Sequence, residues 1–134
     1  MRNEMPENVP AFGSNINALL QFLKLGDEPT IISPQKFSAV FGLDLLTLAR
    51  LADVQPFAVM QTPATANLQL FLHNSVRLIC ASTDISGNVE TSLFWFRNHH
   101  ISCFDGQTPL RLVTAGRVDD VIRYVHSLEL GWLG

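Results

Sequence analysis

Charge is scarce in this chain. Of its 134 residues, 9 are Lys or Arg and 12 are Asp or Glu, which leaves a net charge of −3. The few cations are scattered and form no basic run, so the electrostatic footprint of a strong nucleic-acid binder is missing. Cysteine is nearly absent. Cys80 and Cys103 are too few for a disulfide framework, and reduced thiols in a cytoplasmic protein are the expectation. No apolar run approaches the roughly 20 residues that a membrane-spanning helix needs, and no membrane partner is expected. The opening MRNEMPENVP is polar and broken by proline, unlike a secretory signal. Alternating strand patterns, Asn-Gly hairpin signals, internal repeats and low-complexity tracts are also missing.

Apolar residues are abundant instead. At 47% hydrophobic the chain is not disordered. So little polar material remains that some apolar surface is expected to face a partner. The length suits one domain or two very small ones, with about two thirds of the unfolded surface buried.

Helical spacing and cap signals organise the chain. Residues 1–13, with Pro6, Pro10 and Gly13, read as a flexible leader. Ser14 then caps a helix carrying Ile16, Leu19, Leu20 and Leu23, which Gly26 closes and Pro29 keeps from resuming. Ser33-Pro34 opens a second helix with Phe37, Val40 and Phe41 inward, ended by Gly42. Asp44 caps a third with Leu45, Leu48, Ala49 and Ala52 inward, and Gln55-Pro56 opens a short fourth. Leu68, Phe71, Leu72, Val76 and Ile79 predict one long helix over 64–82, and 84–88 reads as a turn. Asn88 caps a helix with Val89, Leu93 and Phe96 on one side and Phe94 and Trp95 widening that face. Asp105-Gly106 is a turn and Thr108-Pro109 starts a one-turn helix. After Gly116, Val118, Val121, Ile122, Val125 and Leu128 form a clean stripe that Gly131 ends, followed by the apolar tail Trp132-Leu133-Gly134.

Three constellations bear on function. The first is FGLDLLTLARLADVQPFAV, a helix, a tight turn at Asp53-Val54-Gln55 and a short third helix. A DNA-reading helix must reach base edges and contact phosphates with Arg or Lys. This one offers Gln55 and Gln61 as candidate DNA contacts, and only Gln61 is well suited to a base edge. DNA contact and plain bundle packing both stay open. The second is His99, His100 and Cys103, residue types that bind zinc or form a nucleophile pair. No fourth ligand or orienting group accompanies them, so no metal, cofactor or catalytic residue is expected, and the chain does not read as an enzyme. The third is the block from residue 94 to the end.

That block, FWFRNHHISCFDGQTPLRLV followed by VDDVIRYVHSLELGWLG, resembles the toxin-binding domain of the Xre/MbcA/ParS-like antitoxin family. Trp95 and Phe96 sit at the family's Trp-Leu positions. Phe104, Asp105, Gly106, Thr108, Pro109, Leu110 and Val113 follow its Gly-x-Thr-Pro-Leu block. Thr114 and Gly116 follow the link, and Val118, Val121, Ile122, Leu128 and Gly131 follow the last helix. Asp105 stands where a glycine is common, and the link is shorter than usual. The earlier string resembles the Xre-type repressor pattern, with Asp53 in place of the glycine before the turn.

The unbroken helical spacing and repeated caps predict an all-α, compact helical bundle with no sheet of three or more strands, and the resemblance agrees. The resemblance would give it a helix-turn-helix-like region at 14–63 and a helical toxin-binding domain at 64–134. It also implies an antitoxin of a type II toxin–antitoxin pair, which occludes the active site of a RES-domain, NAD-degrading toxin and represses its own operon. Trp95, Gly106, Thr108, Pro109, Leu110, Leu128, Gly131, Trp132 and Leu133 are the toxin-binding residues it points to. A homodimer or a hetero-oligomer with the toxin is the expected assembly. The alternative is an Xre-type transcriptional regulator without a toxin partner.

Overall fold

A computed structural model describes residues 9–131. The chain is mostly helical, and the described residues divide into two compact units: 9–11 with 17–73, and 12–16 with 74–131. No helix among the described residues is long and apolar enough to cross a membrane.

The first unit holds most of α1 (Ile16–Leu23), a hairpin of β1 (Lys24–Leu25) and β2 (Glu28–Ile32), α2 (Pro34–Phe41), α3 (Leu45–Ala52), α4 (Pro56–Gln61) and the start of α5 (Ala66–Ser86). Two caps act as their residue types predict. The Ser33 hydroxyl accepts from Lys36 N–H and the Asp44 carboxylate from Thr47 N–H, each beside the first turn it starts. Gly42 closes α2 at φ +69° and Asp53 closes α3 at φ +59°. An aspartate tolerates this left-handed conformation better than most side chains do, because its short polar group bonds locally.

The hairpin is a departure from the all-helical reading. Gly26, expected to end a helix, instead turns the chain at φ +57° so that β2 pairs antiparallel with β1. Two features hid it: strands this short show no alternation, and Pro29 argues against a central strand. In an edge strand Pro29 is tolerated. The buried Gln69 of α5 holds β2 in place. Its amide accepts from Ile32 N–H at 2.9 Å and donates to the Ile32 carbonyl at 2.9 Å and the Pro63 carbonyl at 2.8 Å. Leu19, Leu23, Phe37, Phe41, Leu48, Leu68 and Leu72 fill this unit's core, with the Phe37 and Phe41 rings stacked at 3.9 Å.

The second unit holds the rest of α5, then α6 (Val89–Asn98), a 3-10 turn at Ser102–Phe104, α7 (Pro109–Thr114) and α8 (Val118–Gly131). α5 runs four residues past the expected end, so Asp84–Ser86 are helical and only Gly87, at φ +76°, turns. Asn88 and Thr108 cap α6 and α7 as expected. On α6 the buried residues are Val89, Ser92 and Phe96. At about 100° per residue Phe94 falls on the opposite side, and it is 71% exposed rather than part of the inward face.

The end of the expected leader is anchored in this unit. Phe12 is buried, and the backbone N–H groups of Phe12 and Gly13 donate to the two Glu90 carboxylate oxygens at 2.7 and 2.9 Å. The Gly13 carbonyl accepts from Val89 N–H at 2.7 Å. Partial burial pushes the Glu90 carboxyl up, but the backbone donors outweigh it and hold the group below its usual range.

Candidate functional site

Three helices of the second unit enclose a narrow groove. The last turns of α5 supply Ser82, Ile85 and Ser86, α6 supplies Thr91 and Trp95, and α8 supplies Val125 and Leu128. Each set is spaced three or four residues apart, so each lies on one face of its helix. The groove measures about 180 Å³. Sites for drug-sized ligands run from about 300 Å³ upward. A dry cavity of roughly 150 Å³ holds a benzene ring. The groove therefore fits one large apolar side chain.

Its chemistry is uneven. Ile85, Trp95, Val125 and Leu128 make apolar walls, and Leu128, at the end of an otherwise inward stripe, stays 44% exposed at the rim. Ser82 and Ser86 belong to a chain of hydroxyls around the fully buried Ser92. Thr83 Oγ1 donates to Ser92 Oγ, which donates to Ser82 Oγ, both at 2.9 Å, and Ser86 Oγ lies 3.2 Å from Ser92 Oγ. The Ser82 O–H has no acceptor among the described residues, so the groove can offer one hydrogen-bond donor. Trp95 is flanked by the His99 ring at 6.5 Å, near parallel.

Of the candidate partner-binding residues, the fold brings Trp95 and Leu128 together here, although they lie far apart in sequence. Gly106, Thr108, Pro109 and Leu110 do not line the groove. Gly106, at φ +74°, completes the turn that returns the chain to the Ile101–Gln107 bridge, and its carbonyl lies 2.7 Å from His100 Nδ1. Thr108 caps α7, Pro109 is buried in its first turn and Leu110 is half-buried. Gly131 is the last residue of α8, while Trp132 and Leu133 lie outside the described residues.

The His99, His100 and Cys103 side chains are directed to separate tasks: His99 to Trp95, His100 to the Gly106 carbonyl, and Cys103 to solvent. Burial, and then the negative charge of Asp84, push the Cys80 thiol up, which disfavours a reactive thiolate.

In the first unit, Gln55 precedes α4 and Gln61 ends it, and both are exposed. Between them Phe57 and Met60 are 62% and 50% exposed, and α4 carries no Lys or Arg. A hollow of about 440 Å³ beside Phe57 is lined by Asp53, Val54, Gln55, Ala58, Thr62 and Thr65. Sequence reasoning missed Ser82, Ile85, Ser86, Thr91 and Val125 as groove residues. Their apolar or small character signals only core, and the hole depends on where three helices converge. Among known proteins, no family model, curated protein or solved structure matches the chain.

Proposed function

We propose that this chain is an antitoxin, which binds a RES-domain, NAD-degrading toxin through its C-terminal unit and occludes the toxin's active site. The observation that carries the reading is the groove, in which Trp95 and Leu128, two residues picked out by the family pattern, meet around a hole sized for one side chain. Interface hot spots are of this kind, a large apolar anchor seated in a desolvated pocket. Gly106, Thr108, Pro109 and Leu110 serve in this reading by shaping the turn and cap before α8. Gly131, Trp132 and Leu133 extend the binding end. No catalytic residue, metal or cofactor is assigned.

The exposed face of α4 supports protein contact rather than operator binding. Phosphate contacts supply most nonspecific DNA affinity and need cations. This face offers Phe57 and Met60 instead. Operator binding by the chain alone is therefore expected to be weak.

The test is growth rescue. Co-expressed with the RES-type toxin encoded beside it, the wild-type chain restores growth, and Trp95→Ala or Leu128→Asp does not. Equal rescue by both folded variants, or no rescue by the wild type, sinks the proposal.

A further inference from the structure

On a neighbouring face of α8, a second hollow of about 400 Å³ is lined by Cys103, Phe104, Arg117, Asp120, Arg123 and Tyr124. Its charges are arranged around Asp120. One carboxylate oxygen accepts from Arg117 Nε at 3.0 Å and the other from Arg123 Nη2 at 2.7 Å. A guanidinium carries five N–H donors. Each fork uses one on Asp120, and neither makes another hydrogen bond among the described residues. Two cations against one carboxylate leave a net positive charge.

The hollow is also aromatic. The Arg117 guanidinium lies 5.1 Å from the centroid of the Phe104 ring, and Phe104 meets Tyr124 edge-on at 5.8 Å. Arg117 is thus fixed from two sides, by a carboxylate and by a ring face. The hydrogen bond from Arg117 holds the Asp120 carboxyl below its usual range against a weaker opposing push from desolvation, which keeps the pairing ionised.

The hollow is shallow and open to solvent, wide enough for a small molecule that is held from one side. The geometry points to a binding site for a small oxyanion, a carboxylate or phosphate, carried on an apolar or aromatic body. Arg117 and Arg123 take the oxygens, Phe104 and Tyr124 pack the body, and Asp120 sets the two forks. This site shares no lining residue with the groove and does not depend on the proposed function.

The experiment titrates the full chain at low ionic strength with phenyl phosphate, benzoate, inorganic phosphate and neutral benzyl alcohol. It follows arginine Nε–H resonances and the rate at which exposed Cys103 reacts with iodoacetamide. Saturable binding of phenyl phosphate or benzoate, tighter than that of inorganic phosphate, with slowed alkylation, is the expected result. The tighter of the two names the oxyanion. Benzyl alcohol should not saturate. Because a charge-assisted bond is worth about 1.4 kcal/mol or more, Arg117→Gln and Arg123→Gln should each raise Kd about tenfold. Both arginines are exposed, so these variants leave the fold intact. Phe104→Leu should weaken phenyl phosphate but not inorganic phosphate. Unchanged binding in the doubly substituted Gln variant overturns the site. Inorganic phosphate binding as tightly as phenyl phosphate overturns the aromatic part of the assignment.

Discussion

Removing the Ser92 hydroxyl should cost more than its size suggests. Ser92 is fully buried and joins Thr83 to Ser82. In Ser92→Ala the Thr83 O–H loses its acceptor while remaining buried. An orphaned buried donor costs about 1–3 kcal/mol, whereas replacing both partners by apolar groups of similar shape is nearly neutral. Ser92→Ala alone should therefore lose about 2 kcal/mol, and Thr83→Val alone about 1 kcal/mol. The double variant should lose no more than about 1 kcal/mol, a coupling of roughly 2 kcal/mol between neighbours. At about 2.1 cal/mol/K per residue over 134 residues, 2 kcal/mol corresponds to a fall in Tm of about 7 °C. Urea melts of the four proteins, compared at constant m-value, measure the coupling. Losses that add to within about 0.3 kcal/mol would refute the network, because Thr83 would then be satisfied elsewhere, for example by a carbonyl of its own helix.

Two further outcomes follow from the caps and the leader. Asp53→Gly should stabilise the first unit by about 0.5 kcal/mol, since glycine adopts φ +59° without strain, whereas Asp53→Val should lose at least about 1 kcal/mol; thermal melts that rank the variants otherwise contradict the left-handed cap. The Glu90 carboxyl is held below its usual value of 4.5, so its contribution is present above that pH and is lost as pH falls through the depressed folded value. The amide protection factors of Phe12 and Gly13, taken relative to the intrinsic exchange rate at each pH, should fall as pH drops through the depressed Glu90 value in the wild type and be low at every pH in Glu90→Ala. Protection that ignores pH would show that the carboxylate does not hold the leader.

Local chemistry announced itself in the sequence, and convergence did not. Ser33, Asp44, Asn88 and Thr108 each start the helix their side chains predict, because capping is decided within a few residues. The stripe of α5 is equally legible, with Leu68, Phe71, Leu72, Val76 and Ile79 all buried. The hairpin at Gly26 carries no such local signal, since its strands are too short to alternate and Pro29 argues against a strand, while the Gln69 side chain that holds Ile32 of β2 is distant in sequence. Phe94 shows that the angle on α6, and not aromatic character, decides which side chains face the core. Trp95 and Leu128 were legible as individual candidates through a family pattern. Their sharing one hole with Ile85 and Val125 depends on the packing of α5, α6 and α8, which no local pattern encodes.

The central claim is that the groove around Trp95 seats a side chain of a RES-domain toxin. Isothermal titration of the purified chain into the toxin encoded beside it tests this most directly. Removing the aromatic wall against which a partner's side chain packs should cost about 2 kcal/mol, so Trp95→Ala should weaken binding roughly 30-fold. Equal affinities for wild type and Trp95→Ala, or no measurable binding by the wild type, would contradict the account.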